Sequence, residues 1–218
     1  MRRSLALATA AMILALILSA CASGTNAAPT AGSSATSPTT RPMDPSADPT
    51  EPPVSPEAPV PTESSPPGDI PDDVAFVPYH SARGGWTITV PEGWSRTTEG
   101  TSVTFTDKLN TVQVDATPGP PVSVAGATKS DVPEIAAGTR SFSLVDISAA
   151  QLPAGPAVLI SYQANSEPNP VTGKQYRLDV LRYELFHQGT RTTLTLLSPV
   201  GADNVDPWRI VSQSLKVG

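Results

Sequence analysis

No aromatic side chain occurs before Phe76, and all 11 of them (3 Trp, 4 Tyr, 4 Phe) lie between that residue and Trp208. From Ala22 to Asp72 large apolar side chains are also scarce, and such a segment cannot bury enough surface to offset its ordering entropy. The same stretch collects residues that oppose folding: 13 of the 25 prolines fall between Ala22 and Asp72. It holds one base, Arg41, against seven acids, whereas 11 bases face 13 acids from Asp73 onward. The net charge of −6 therefore belongs to the Pro-rich stretch, and the remainder is nearly neutral. The pattern predicts a disordered tether of polyproline II character up to Asp72 and one globular domain over residues 73–218. As a flexible coil the tether of 51 residues spans about 40 Å. An acidic chain with no basic stripe is not built to bind nucleic acid. A single cysteine excludes a disulfide framework and a cysteine-rich zinc site.

The N-terminus has the layout of a secretory signal. Met1-Arg2-Arg3 is basic, Leu5 to Leu18 is an apolar run, and Leu18-Ser19-Ala20-Cys21 places small residues before the cysteine. The run is shorter than the roughly 20 apolar residues of a membrane span. The last four residues resemble the lipobox of bacterial lipoproteins. That resemblance implies a signal over residues 1–20, cleavage before Cys21, and a diacylglyceryl thioether on the Cys21 thiol. Two acyl chains hold a protein stably on a membrane. The expected location is then the extracytoplasmic face of the cell membrane, with residues 21–72 as lipidated cysteine and spacer. An ordinary cleaved signal with an incidental cysteine is the alternative. The Ser and Thr of the tether either belong to a plain spacer or carry O-glycans.

From Val74 onward the pattern changes to short alternating runs. Trp86, Ile88 and Val90 alternate with threonines, Val103 and Phe105 do the same, and Val112, Val114 and Ala116 alternate with polar residues. Period two of this kind predicts half-buried antiparallel strands. Ser141 to Leu152 reads as a strand with Phe142, Leu144 and Val145 inward. Ala157 to Tyr162 is apolar on both faces and reads as a central strand. Tyr176 to His187 changes its apolar face midway, which predicts a bulge near Val180. Thr190 to Leu197 follows a Gln188-Gly189 turn. Two short helices are predicted, one capped by Asp131 and stopping at Gly138, one capped by Asp206 with Trp208, Val211 and Leu215 on one face. The expected fold class is α+β, a mostly antiparallel twisted sheet of seven or eight strands with two short helices.

Gly85-Trp86-Thr87-Ile88-Thr89-Val90-Pro91-Glu92-Gly93-Trp94 followed by Val103-Thr104-Phe105-Thr106-Asp107 resembles the opening of PsbP/Mog1-like domains. Leu194-Thr195-Leu196, Asp206-Pro207-Trp208 and Ser214-Leu215-Lys216 resemble their close. With the lipobox, the Pro-rich tether and ten Arg to four Lys, the whole resembles lipoproteins of high-GC Gram-positive bacteria. The resemblance covers about Phe76 to Val217. It implies a binding or assembly module and brings no catalytic motif, so no catalytic residue or cofactor is assigned; Trp94 and Trp208 match as packing positions.

The residues themselves carry no recognisable catalytic signature. G-x-S-x-G, H-E-x-x-H, S-x-x-K and the Gly-rich phosphate loop are absent. Val171-Thr172-Gly173-Lys174 lacks the upstream glycine of a phosphate loop and reads as a hairpin loop. Asp203-Asn204-Val205-Asp206 lacks the spaced acids of a calcium loop and reads as a helix start. No metal site is predicted. Trp86 and Trp94 read as core or turn residues, with a pocket lining as the alternative.

The expected function is non-enzymatic: a monomeric, membrane-tethered binding or assembly module. It docks on an envelope or transporter complex, or holds an apolar ligand between sheet and helix. The alternative is an envelope hydrolase or transferase using His80 or His187 beside a serine or acid. The loop Asn165 to Lys174 exceeds the usual hairpin length and carries two prolines. Asn165, Asn169, Thr172 and Lys174 are its candidate partner-binding residues.

Overall fold

The computed structural model describes residues 57–64 and 67–218. Cys21, the signal segment and the tether as far as residue 56 lie outside the described residues. In chain order the elements are β1 (Phe76–Ser81), β2 (Trp86–Pro91), β3 (Ser95–Glu99), β4 (Ser102–Asp107) and β5 (Asn110–Pro118). A helical run follows, made of α1 (Val124–Gly126), a π turn (Ala127–Asp131) and α2 (Val132–Gly138). Next come β6 (Ser143–Leu152), β7 (Gly155–Asn165), β8 (Arg177–His187), β9 (Thr190–Pro199), α3 (Val205–Ser214) and β10 (Lys216–Val217). Seven strands form one antiparallel sheet in the order β3-β4-β5-β9-β8-β7-β6, and β1-β2-β10 form a second. The class is α+β, as the alternation predicts. Among the described residues no helix is long and apolar enough to cross a membrane.

The register explains why the alternating runs became these strands. Val103 faces Val114, Phe105 faces Val112, and those two face Leu194 and Leu196 on β9, so one face of the large sheet is continuously apolar. The small sheet and α3 cover that face through Trp86, Ile88, Val90, Trp208, Val211 and Leu215. On the opposite face the helical run packs over Val158, Ile160, Tyr162 and Val180. The strands missed from the sequence have no alternation to read. β3 is Ser95-Arg96-Thr97-Thr98-Glu99, exposed throughout, and exists by pairing with β4. β1 contains Pro78, tolerated because the strand lies at a sheet edge.

Four expectations need correction. β8 pairs with β7 and β9 without a register break, so the bulge near Val180 is absent. Leu178 and Val180 serve one face while Leu181, Tyr183 and Leu185 serve the other, because both faces are covered. The bulge lies instead in β6, between Leu144 and Asp146, and turns Leu144 and Val145 outward at 41% and 64% exposure. Phe142 is inward as expected, 5.1 Å from the ring of Tyr162. The first helical run starts earlier, with Ser123 Oγ accepting from the Gly126 amide; Asp131 lies inside that run in helical conformation, makes no cap bond, and pairs with Arg191. At α3 the cap position is Asn204, and Asp206 accepts from Arg209 in the first turn.

The folded unit also reaches back past the boundary placed at Asp73. Ile70 is 5% exposed and belongs to the main core. The Gly68 carbonyl accepts from Asn110 Nδ2 at 2.7 Å and Asn204 Nδ2 at 2.9 Å, and the Ile70 amide donates to Asn204 Oδ1 at 2.8 Å. Gly68 has φ +141°, and a Cβ there would stand 2.8 Å from the Pro199 ring, so the close approach requires glycine. These contacts use backbone groups and one isoleucine, so composition alone assigns them to the tether. A truncated protein beginning at Asp73 is expected to be less stable than one beginning at Pro53, by about 2–5 kcal/mol for the lost isoleucine. Urea unfolding of the two checks this; equal midpoints would show that residues 57–72 lie on the fold without stabilising it.

Candidate functional site

A cavity of about 560 Å³ opens between α3 and the face of β6–β8 that carries Ser161, Asp179, Leu181 and Tyr183. The floor arises from strand register: Ser161 lies beside Leu181 across the β7–β8 pair, and the Val145 bulge stands at the outer edge. The wall is Val205, Trp208, Ser212 and neighbours on α3. Trp208 is placed by its ring-edge contact with Trp94, 6.3 Å between centroids, and by its indole N–H, 3.4 Å from Ser198 Oγ. Burial pushes the Tyr183 hydroxyl above its ordinary pKa, partly offset by its hydrogen bond with Ser212. Asp179 is the one carboxylate on the lining, and it accepts from Gln163 Nε2 at 2.9 Å. The lining mixes apolar Leu181, Val205 and Trp208 with polar Ser161, Asp179 and Arg209, which suits binding and orientation of a molecule with an apolar body.

The histidines are elsewhere. His80, on β1, contacts Thr87 Oγ1 at 3.2 Å. His187, at the end of β8, lines a different hollow with the Ala82–Gly85 turn, Thr190 and Thr192. Neither is brought beside a serine or acid in that hollow or in the α3 cleft. Trp86 is 1% exposed and part of the core, whereas Trp94 lines a shallow depression with Tyr79, Arg96 and Phe105. In the Asp203–Asp206 run, Asn204 is a buried hub of hydrogen bonds, and the Asp203 amide donates to Asp69. Among the described residues no three His, Cys, Asp or Glu side chains converge on a metal position.

Behind the large sheet, under the helical run, lies a polar cluster that the sequence did not disclose. Glu184 is fully buried, and its carboxylate accepts from Arg182 Nε at 2.8 Å and from Arg191. Arg191 also forks onto Asp131, which ties the end of the π turn to β9. The four charges come from three elements, so spacing along the chain carries no signal of their meeting.

The loop singled out from the sequence is divided by the structure. Asn169 and Thr172 build its turn: Asn169 Oδ1 accepts from the amides of Val171 and Thr172, and Thr172 Oγ1 from that of Lys174. Asn165 and Lys174 instead hold residues 57–63. Asn165 is 5% exposed, and Lys174 pairs with Glu63 while lying 4.6 Å from the Tyr176 ring centre. Glu57 is held below its ordinary pKa chiefly by hydrogen bonds from Asn165 and Gln175, with desolvation opposing them and Arg140 adding to them. A depressed carboxylate contributes attachment above its unfolded pKa and loses it as pH falls through the folded value. The protection of the Val60 amide, which donates to Asn165 Oδ1, is therefore expected to decline below the ordinary glutamate range. Hydrogen exchange corrected for intrinsic rate checks this, with Glu57→Gln removing the pH dependence; a profile shared by both proteins would assign the attachment to other groups.

No family model matches the chain, and no curated protein matches it. Among solved structures it is similar to cyanobacterial PsbP (CyanoP) from Synechocystis sp. PCC 6803, with 16% identity, 69% of this chain and 98% of that one covered, and a TM-score of 0.49. It is similar to the Ran-binding protein Mog1p of Saccharomyces cerevisiae, with 10% identity, 66% and 96% covered, and a TM-score of 0.46. It is also similar to LpqN, involved in cell envelope biogenesis of Mycobacterium tuberculosis, with 16% identity, 66% and 91% covered, and a TM-score of 0.39. Likeness at this level carries no statement about activity or partners.

Proposed function

We propose that the chain is a lipid-anchored, extracytoplasmic, non-enzymatic binding module that holds an apolar ligand in the α3 cleft. The cleft itself carries this reading: about 560 Å³ of largely apolar space beside Leu181, Tyr183 and Trp208. Its rim points the same way. Val145, turned out by the β6 bulge, and Val205, at the start of α3, are 64% and 75% exposed on the lining. Two exposed valines on one cavity lining offer apolar surface at its mouth. The anchor rests on Leu18-Ser19-Ala20-Cys21, and the acidic Pro-rich stretch after it suits a spacer that holds the cleft off the membrane surface. Docking on an envelope or transporter complex is the setting in which such a carrier or adaptor acts.

The test is titration with an environment-sensitive apolar dye, 1-anilinonaphthalene-8-sulfonate, under native conditions. Ser161→Phe, which fills the floor from a half-exposed position, is expected to weaken dye binding about tenfold or more with little change in melting temperature. Dye binding that ignores Ser161→Phe would remove the cleft from the proposal. The anchor is tested separately by detergent phase partitioning: Cys21→Ala is expected to leave the detergent phase, and its retention there would refute lipidation.

A further inference from the structure

The surface around Asn165 holds residues 57–63 of the chain through side-chain and backbone groups. The Asn165 side chain uses all four of its hydrogen-bond positions, three of them on residues 57–60. Its Nδ2 donates to Glu57 Oε1 at 3.0 Å and to the Ala58 carbonyl at 2.9 Å, and its Oδ1 accepts from the Val60 amide at 3.1 Å. The fourth position accepts from Arg177 NH1 at 3.1 Å, and Arg177 also donates to the Ser141 carbonyl, so the amide is oriented from beneath by the fold. Around it, Arg140 and Gln175 hold the Glu57 carboxylate at 2.8 Å each, and Lys174 holds Glu63. The surface thus reads a carboxylate, the next backbone carbonyl, an amide two residues further on, and a second carboxylate.

Residues 57–63 are poorly secured compared with Gly68 and Ile70. None of their side chains is buried, and Ala58, Pro59, Pro61 and Thr62 are exposed, whereas Ile70 enters the core. The core contacts of Gly68 and Ile70 involve none of residues 57–63, and the cations that hold those residues, Arg140 and Lys174, are 39% and 49% exposed with Glu57 and Glu63 in place. Next to Lys174 a hollow of about 400 Å³, lined by Leu109, Pro168, Pro170, Tyr176 and Leu197, extends the surface beyond these contacts. The occupied surface therefore carries cations for an acidic chain, an amide for its backbone, and apolar space beside them.

We propose that the surface around Asn165 is a peptide-docking site for an acidic, extended, proline-containing segment of a partner protein, filled at rest by the chain's own residues 57–63. The internal segment acts as a competitor at high effective concentration, so the partner binds by displacing it. This surface shares no lining residue with the α3 cleft, and the proposal stands apart from the ligand reading.

The probe is a fluorescein-labelled synthetic peptide of residues 53–67, added to the full chain and followed by fluorescence anisotropy. Glu57→Gln with Glu63→Gln in the chain weakens the internal competitor, and binding of the probe is expected to tighten about tenfold or more over the unaltered chain. Adding Arg140→Ala and Lys174→Ala, both at exposed positions, is expected to abolish that binding at unchanged melting temperature. Failure of the opened chain to bind the probe overturns the proposal, as does binding that survives loss of Arg140 and Lys174. Concentration-dependent self-association of the opened chain would assign the surface to a second copy and overturn displacement by a partner.

Discussion

Trp208→Ala is expected to cost about 3–5 kcal/mol of stability, a large part of what a domain of this size has to lose. Trp208 is 6% exposed on α3 and meets Trp94 edge to face at 89° between ring planes. Its neighbours Val211 and Leu215 are fully buried in the same core, so this helix is the clamp holding the small sheet to the large one. Removing the indole leaves a cavity between the two sheets, where relaxation is restricted from both sides. Urea unfolding at constant m-value measures the loss. A loss below about 1 kcal/mol, within the range of ordinary surface substitutions, would show that α3 rests on the sheets without joining them. Because Trp208 also walls the cleft, Trp208→Phe is the variant for ligand work: it keeps an aromatic ring there at a smaller loss of volume.

Arg191→Leu is expected to be comparably damaging for an electrostatic reason. Glu184 has no exposed surface, and Arg191 bridges it to Asp131. Removing the guanidinium leaves Arg182 as the remaining cation on Glu184 and strips Asp131 of its partner. Breaking a buried pair from one side typically costs about 3–5 kcal/mol, since a charge stays desolvated without compensation. The diagnostic comparison is the double variant Arg191→Leu with Glu184→Leu, expected to recover a substantial part of the loss because the buried carboxylate leaves together with its guanidinium partner. A double variant no more stable than Arg191→Leu would show that the network holds the helical run in place by geometry, through Asp131, and not through charge compensation.

Most strands are legible in the sequence because burial of one strand face is written at period two. Trp86-Ile88-Val90 and Val112-Val114-Ala116 are buried as their alternation predicts. Where that reading fails, the sheet has covered both faces or released one. β8 carries apolar residues on both sides because α3 and the helical run lie over opposite faces, and no bulge is needed. At Leu144-Val145 the edge strand bulges, so two apolar residues expected to point inward are turned out, and Val145 comes to rim the cavity. Helix caps fail for a related reason. Asp131 and Asp206 have the right chemistry for capping, but neither stands at a free helix start: Asp131 continues the helical backbone of the π turn, and Asp206 lies in the first turn behind Asn204, so their carboxylates pair with Arg191 and Arg209 instead.

By itself the sequence determined that every aromatic side chain available to a core lies at or after Phe76, and that the domain is built from antiparallel strands closed by a Trp-bearing helix. Composition and short periodicity suffice for these, since they depend on neighbours in the chain. Tertiary structure decided the rest. It placed Ser161 and Leu181 opposite Trp208 to open a cleft, buried Glu184 between two arginines, and brought Glu57 to Asn165 across 108 positions of sequence. A side chain's own pattern reports which way it points, but what it meets there is set by long-range closure of the sheets. Sites made at such meetings have no local spacing from which to read them.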